Sequence, residues 1–271
     1  MSAVPAVPAV LPLLSAHRGG AEGDTRRENT LAALLDAVAL DCEYVEVDVQ
    51  RCRGGVHVLY HDDVVQDGDR EVPVSALTFD EFAVLADTYL LLDEALDALR
   101  GRAKVHLDLK FLSDPEDGGS DGGHEVELVE HVLSIMGARN VLVTTLEDES
   151  VRAIRAWSRK NCPDLLVGLS LGRDGAGLGN RELLATRLGE FFPARRIEAC
   201  DANLVACHKT IAKLRGAAWA ARRNLPLLVW TVDDPDELRT WLLDGRAWMI
   251  TTNYPREAAE LRREIARESG A

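Results

Sequence analysis

Glu46 and Asp48 stand two apart in the run YVEVDVQ (44–50), and Asp108 and Lys110 repeat that spacing in VHLDLK (105–110). In an extended strand a spacing of two puts both side chains on one face, so each pair presents its polar groups together while apolar residues fill the other face. His17 and Arg18 close an earlier apolar run, LPLLSAH (11–17), and His61 lies near the end of GVHVLYHDD (55–63). Carboxylates are hard oxygen donors, imidazoles exchange protons near neutral pH, and arginine and lysine neutralise anions. Together these residue types suit acid–base chemistry on a negatively charged group.

Eight short apolar runs can position these residues. They fall at 11–17, 44–50, 105–110, 141–146, 165–171, 198–205, 225–232 and 248–253. Between them lie amphipathic segments such as TLAALLDAVAL (30–40), LLDEALDALR (91–100), ESVRAIRAWSRK (149–160) and PDELRTWLLDG (235–245). This alternation implies parallel βαβ units. No G-x-G-x-x-G follows the first run, and eight repeats in 271 residues match a (β/α)8 TIM barrel better than a doubly wound sheet. The expected fold class is therefore α/β, a single TIM-barrel domain over residues 1–271, with chemistry at the C-terminal strand ends. His17, Arg18, Trp230, Thr252 and Asn253 fall at such ends.

GVHVLYHDD follows the second run after too short a turn for a parallel crossover and must fold back as a short β-hairpin. Centring the turn near Gly54 pairs 51 with 57, 49 with 59 and 47 with 61, which brings His61 close to Asp48.

Lys and Arg total 31 against 45 Asp and Glu, a formal net charge of −14. That charge opposes binding to nucleic acid or an anionic membrane, so an anionic substrate needs a local cation cluster or a bound metal. The five cysteines lack C-x-x-C spacing and indicate neither a disulfide framework nor a zinc site, which fits a reducing, cytoplasmic setting. The first residues have no basic n-region and are interrupted by Pro5, Pro8 and Pro12, unlike a secretory signal. No apolar run reaches membrane-spanning length, so no stable membrane insertion is expected.

The order His17-Arg18-Gly19, Glu28-Asn29-Thr30, Glu46-x-Asp48, His61-Asp62, Asp108-x-Lys110, and then Trp230-Thr231-Val232-Asp233 and Thr252-Asn253-Tyr254-Pro255, resembles the glycerophosphodiester phosphodiesterase family over nearly the whole chain. The resemblance implies metal-assisted hydrolysis of a phosphodiester in a (β/α)8 barrel. Glu46, Asp48 and Asp108 match the family's ligands for one divalent cation, Mg²⁺ or Ca²⁺, a preference that hard carboxylate donors share. Beside it, Arg18 and Lys110 neutralise the phosphate. His17 and His61 then serve as acid and base on opposite sides of phosphorus, in either order. Glu28 and Asn29 support Arg18 or a ligand by hydrogen bonds, and Trp230 walls the alcohol pocket.

Several positions depart from the family pattern. The third acidic ligand is usually glutamate; Asp108 is one methylene shorter, which predicts a shifted or water-bridged metal and altered metal preference. Arg27 replaces a frequent proline, Cys52 and Gly54 stand where threonine and aspartate are usual, and Asn253 interrupts the closing T-D-x-P. The segment between His61 and the helix at 91–100 is short, which bears on headgroup preference.

The bland readings are these. His57, His106, His124, His131 and His208 are structural or solvent-exposed, with His106 pointing away from the site face. Cys52 lies exposed near the hairpin tip. Asp62 and Asp63 order the hairpin end or touch substrate. The Gly-rich stretches at 113–125 and 172–179 are solvated loops rather than a lid or a P-loop. The expected reaction yields an alcohol and glycerol 3-phosphate. The rivals are a lysophospholipase D-like or cyclising phospholipase on the same scaffold, and a non-catalytic phosphodiester-binding barrel.

Overall fold

The computed structural model describes residues 10–40, 42–113, 123–172 and 193–268. Eight parallel strands close on themselves: β1 (Leu13–Ala16), β2 (Tyr44–Arg51), β7 (Lys104–Leu109), β8 (Val141–Thr145), β9 (Leu166–Leu171), β10 (Leu204–His208), β11 (Leu227–Trp230) and β12 (Met249–Thr252). Closure is made by β1, which pairs with β12 on one side and β2 on the other. This is a (β/α)8 TIM barrel.

Alternation along the strands divides two environments. Val45, Val47, Val49, Val105, Leu107, Val143, Val167 and Val229 belong to the large core between the sheet and the helices outside it. Their neighbours turn into the lumen, where Tyr44, Leu142, Leu204, Ala206, Leu228 and Met249 pack together. Register pairs Glu46 with His106 and Asp48 with Asp108, so the polar residues of β2 and β7 form rungs on the lumen side. His106 is therefore not turned away, as expected, but inward. It stands two residues before Asp108 and must share its face.

The sixth barrel strand begins later than the sequence suggests. Residues 198–200 are the last turn of a helix, Pro193–Cys200, and Asp201, in the left-handed region at φ 61°, turns the chain before β10. A short apolar run does not separate a helix end from a strand start.

After β2 the chain folds back through β3 (His57–Leu59), with 51 opposite 57 and 49 opposite 59 as expected. The excursion is larger than one hairpin. It continues through a second hairpin, β4 (Val64–Asp67) with β5 (Arg70–Pro73), and helix α2 (Phe79–Leu85), the next α-helix after α1 (Leu31–Ala39), before β6 (Leu90–Leu91) pairs with β3. Cys52, Val58, Val65, Val74, Leu77 and Phe82 form its own small core. Cys52 is thus fully buried, a correction to its expected exposure, and burial pushes its thiol up to about 11. Most of 113–125 and of 172–179 lies outside the described residues.

Candidate active site

The turn after β1 is built around tight backbone geometry. Arg18 adopts φ 51° and Gly20 φ 74°, and a Cβ on Gly20 would lie 2.5 Å from Pro255 Cγ, so only glycine fits there. The turn aims the Arg18 backbone N–H at Glu46, donating to Oε2 at 2.6 Å. Arg18 Nη1 donates to Glu28 Oε2 at 2.7 Å, and its Nε lies 3.4 Å from Asp48 Oδ2. Asn29 clamps the next strand: its Nδ2 donates to Asp48 Oδ2 at 2.8 Å and its Oδ1 accepts from Asp48 N at 3.1 Å. Glu28 thus holds Arg18, and Asn29 holds Asp48.

Lys110 bridges the two acidic strands. Its Nζ lies 2.5 Å from Asp108 Oδ2 and 3.0 Å from Asp48 Oδ1. The second approach is an ion pair without hydrogen-bond geometry, and Asp48 Oδ1 is buried with no hydrogen-bond partner. One carboxylate oxygen from each of Glu46, Asp48 and Asp108 lies within 4.8 Å of the other two. Burial, then the charges of Asp48 and Asp108, push Glu46 well above the usual carboxylate range. Burial acts on Asp48 in the same direction, but Lys110 and Arg18 outweigh it and hold that carboxyl far down. For Lys110 burial is likewise overcome by Asp108 and Asp48, which keep it charged.

His17 is fixed from behind. Asp233 accepts from the Asn253 amide nitrogen at 2.8 Å and from its backbone N–H at 2.8 Å. That turns Asn253 Oδ1 to His17 Nδ1, 2.7 Å away. An amide oxygen only accepts, so Nδ1 carries the hydrogen and Nε2, 4.0 Å from Glu46 Oε2, is left as the acceptor. Burial and then the Arg18 charge lower the pKa of this imidazole. His61 sits where the excursion meets the mouth; its Nδ1 lies 2.7 Å from Asp62 Oδ1, and its side chain is 39% exposed. Asp63 accepts from Gln50 Nε2 at 3.1 Å, and both aspartates also line the cavity.

A cavity of about 650 Å³ opens at the C-terminal ends of the strands, lined by His17, Arg18, Glu46, His61, Asp108, Lys110 and Trp230 among others. Asp48 lies just beneath, paired with Lys110, Arg18 and Asn29, while Glu28 and Asn29 stand behind the lining. The residues singled out in the sequence therefore meet at one mouth. The opposite wall is less charged: Leu146, Ser170, Ala206, Leu228 and Trp230. His208 packs edge-on to Trp230 with ring centroids 5.5 Å apart.

Sequence reasoning missed Thr144, which donates to Asp108 Oδ1 at 2.6 Å, and His106, which contacts Thr144 at 2.9 Å. The spacing of 106 from 108 carried the signal for His106. It also left open the role of Asn253, whose place directly after the last barrel strand foretold a mouth position. Burial lowers His106 to about 4, so it is neutral at neutral pH.

The donor set suits a divalent cation. Three carboxylates offer hard oxygens at close range, and one buried oxygen accepts no hydrogen bond; among the described residues the cluster includes neither sulfur nor imidazole, and an all-oxygen set of this kind suits hard cations such as Mg²⁺ or Ca²⁺.

Comparison with known proteins points the same way. The model of the glycerophosphoryl diester phosphodiesterase family matches residues 17–257. Glycerophosphocholine phosphodiesterases of Eremothecium gossypii and Schizosaccharomyces pombe are 35% and 36% identical over 72 residues, 24% of this chain. The match spans about 6% of the length of those curated relatives. Among solved structures, a glycerophosphodiester phosphodiesterase from Parabacteroides distasonis superposes with a TM-score of 0.73 at 18% identity, covering 94% of this chain and 98% of that one. A phosphodiesterase from Oleispira antarctica, solved with the product sn-glycerol-3-phosphate, superposes with a TM-score of 0.67 at 18% identity, covering 93% and 96%. At such identities these superpositions establish the shared barrel. No helix among the described residues is long and apolar enough to cross a membrane.

Proposed function

The chain belongs to the glycerophosphoryl diester phosphodiesterase family, and from that premise we propose that it hydrolyses a glycerophosphodiester to an alcohol and glycerol 3-phosphate, using one divalent cation and the pair His17 and His61. The observation that carries this reading is the convergence, at one cavity, of both imidazoles and both cationic side chains on three carboxylates whose oxygens lie within 4.8 Å. The product seen in the Oleispira antarctica neighbour supports the glycerol phosphate half of the assignment.

Glu46, Asp48 and Asp108 would hold the cation, Mg²⁺ or Ca²⁺. Bound there, it supplies positive charge against the negative charge that the phosphodiester gathers in its transition state. Arg18 uses Nη1 on Glu28 and turns Nε to Asp48, which leaves Nη2 for a phosphate oxygen. Lys110 donates one hydrogen to Asp108 and stands as an ion pair beside Asp48, which leaves further ammonium hydrogens for the substrate.

His17, with Nδ1 committed to Asn253 and its imidazole kept neutral by burial, takes the proton of the attacking hydroxyl or water on Nε2. His61, whose Nδ1 is held by the Asp62 carboxylate at 2.7 Å, gives a proton to the leaving alkoxide. Trp230, on the less charged wall, borders the alcohol.

Release of glycerol 3-phosphate from a panel of glycerophosphodiesters and lysophospholipids, with Mg²⁺, Ca²⁺ or chelator, tests the reaction. Metal-dependent release lost in His17→Ala supports it; ligand binding without turnover by the native protein favours the binding-barrel reading instead. A glycerophosphodiester of p-nitrophenol separates the two histidines, because that leaving group needs no proton. Turnover should return in His61→Ala and stay lost in His17→Ala; the reverse pattern exchanges their roles.

A further inference from the structure

Below the mouth the lumen holds polar side chains that neither exchange the substrate's protons nor supply the carboxylates. Thr144 Oγ1 lies 2.6 Å from Asp108 Oδ1 and 2.9 Å from His106 Nε2, and His106 Nδ1 lies 3.2 Å from Ser15 Oγ. All three residues behind Asp108 are buried, with His106 and Thr144 bordering the cavity floor, so they are partnered chiefly by one another.

The direction of each bond follows from counting hydrogens. A carboxylate only accepts, so the single hydroxyl hydrogen of Thr144 goes to Asp108 Oδ1. The Thr144 oxygen then accepts, which puts the imidazole hydrogen on His106 Nε2. His106 Nδ1 is left as an acceptor, and the Ser15 hydroxyl donates to it. One neutral imidazole satisfies the whole series, and reversing one link alone sets two lone pairs or two hydrogens against each other.

This series ends on Asp108, one of the three carboxylates that could hold the cation. Rotation of an aspartate carboxyl about χ2 is loosely restrained by its own torsion, so its orientation must be set from outside. On one side Thr144 takes Oδ1. On the other, Oδ2 meets Lys110, whose ammonium also lies 3.0 Å from Asp48 Oδ1.

We propose that His106 is a positioning residue for the cation site, acting through Thr144 to hold Asp108 Oδ1 toward β8 and so present Oδ2 toward Asp48 and Glu46. The proposal rests on the reading of those three carboxylates as cation ligands. In this role His106, which borders the cavity floor, acts through Thr144 rather than on the cation, and removes a rotational freedom that would otherwise weaken the site.

Calorimetric titration of the metal-stripped full chain with Mg²⁺ and, separately, Ca²⁺ tests this without reference to turnover. Loss of such an outer partner lowers metal affinity by about 10–100-fold. Thr144→Val should show that loss and Thr144→Ser should retain native affinity. His106→Leu should weaken binding comparably, and the double variant His106→Leu/Thr144→Val should bind no more weakly than Thr144→Val alone, since both act along one path. His106→Gln, whose amide can donate to Thr144 and accept from Ser15, should restore affinity and guards against a folding defect in the leucine variant. Native affinity in a folded His106→Leu, additive losses in the double variant, or a folded His106→Gln as weak as His106→Leu would each overturn the proposal. If the native protein binds neither ion, the cation reading falls with it, an outcome distinct from native binding that the variants leave unchanged.

Discussion

His17 and His61 face the same cavity but are held there by different physics. His17 belongs to the lumen, where the Asn253–Asp233 pair fixes its tautomer and charged neighbours surround it. His61 belongs to the excursion, a satellite whose small core of Cys52, Val58, Val65, Val74, Leu77 and Phe82 is apolar. In the lumen, position is set by hydrogen-bond direction and charge balance, and one lost partner strands another group. In the excursion, position is set by packing, and damage is expected to stay local. In the proposed mechanism the barrel would supply one proton-transfer group from its interior and take the other from an appendage.

Breaking charge balance in the lumen should have the largest effect. Asp48→Ala removes the fully buried carboxylate that Lys110 and Arg18 share, leaving them Asp108 and Glu28 alone, and takes from Asn29 its acceptor. Removal of one member of a buried ionic pair costs about 3–5 kcal/mol, and with one proposed ligand gone turnover should be abolished. A fall in denaturation midpoint worth less than about 1 kcal/mol would show that the lumen charges are less interdependent than their distances suggest.

Phe82→Ala strikes the other region. Phe82 is fully buried and its ring packs edge-on against Tyr60 and Tyr89, at centroid distances of 5.3 and 5.5 Å. Deleting a buried phenyl costs about 3–5 kcal/mol where the surroundings cannot collapse. Hydrogen exchange should quicken across residues 57–91 while β7, β8 and β10 stay protected, and turnover should drop through misplacement of His61. Equal loss of protection around the barrel would mean that the two regions unfold as one, which removes the contrast.

The two regions were also unequally legible. The lumen announced itself because strand alternation has a period of two: Glu46 with Asp48 and Asp108 with Lys110 could only share a face, and the hairpin register of 49 with 59 and 51 with 57 followed from the turn alone. His106 was misjudged against that same rule. The second hairpin and α2 were not read, because their segments are short and their core is made by residues distant in sequence. Likewise Asn253, the partner of His17, follows β12, which meets β1 only once the barrel closes, and Thr144 stands beside Asp108 only in the register that β7 and β8 adopt.

His57 marks the join of the two regions, on β3 with its ring 5.7 Å from that of Phe111 beyond β7. Burial, then the Arg51 charge, lowers it to about 4, against 6.5 for a free imidazole. The unfolded chain therefore takes up a proton as pH falls below 6.5 while the folded chain resists until about 4. Stability from this group is complete above 6.5 and is lost as pH falls from 6.5 to 4, on the order of 3 kcal/mol in all. Urea denaturation at a series of pH values should show a shallower acid slope in His57→Gln than in the native chain, by about one proton. Parallel slopes would indicate that the join opens to solvent before the barrel does.

The smallest effect is expected at the N-terminus of α2, on the solvent side of the excursion. Thr78 Oγ1 accepts from Glu81 N at 3.3 Å while Glu81 Oε2 accepts from Thr78 N at 2.8 Å, a reciprocal cap that satisfies two amide groups the helix cannot pair itself. Thr78→Ala removes one half of it and should cost about 1 kcal/mol. Because the helix carries Phe82, that cost should appear as faster hydrogen exchange in α2 and β3 and a modest fall in turnover, with metal affinity unchanged. A change in metal affinity would instead tie the excursion to the carboxylates directly, through β2, whose Asp48 carbonyl accepts from Tyr60 N at 3.1 Å.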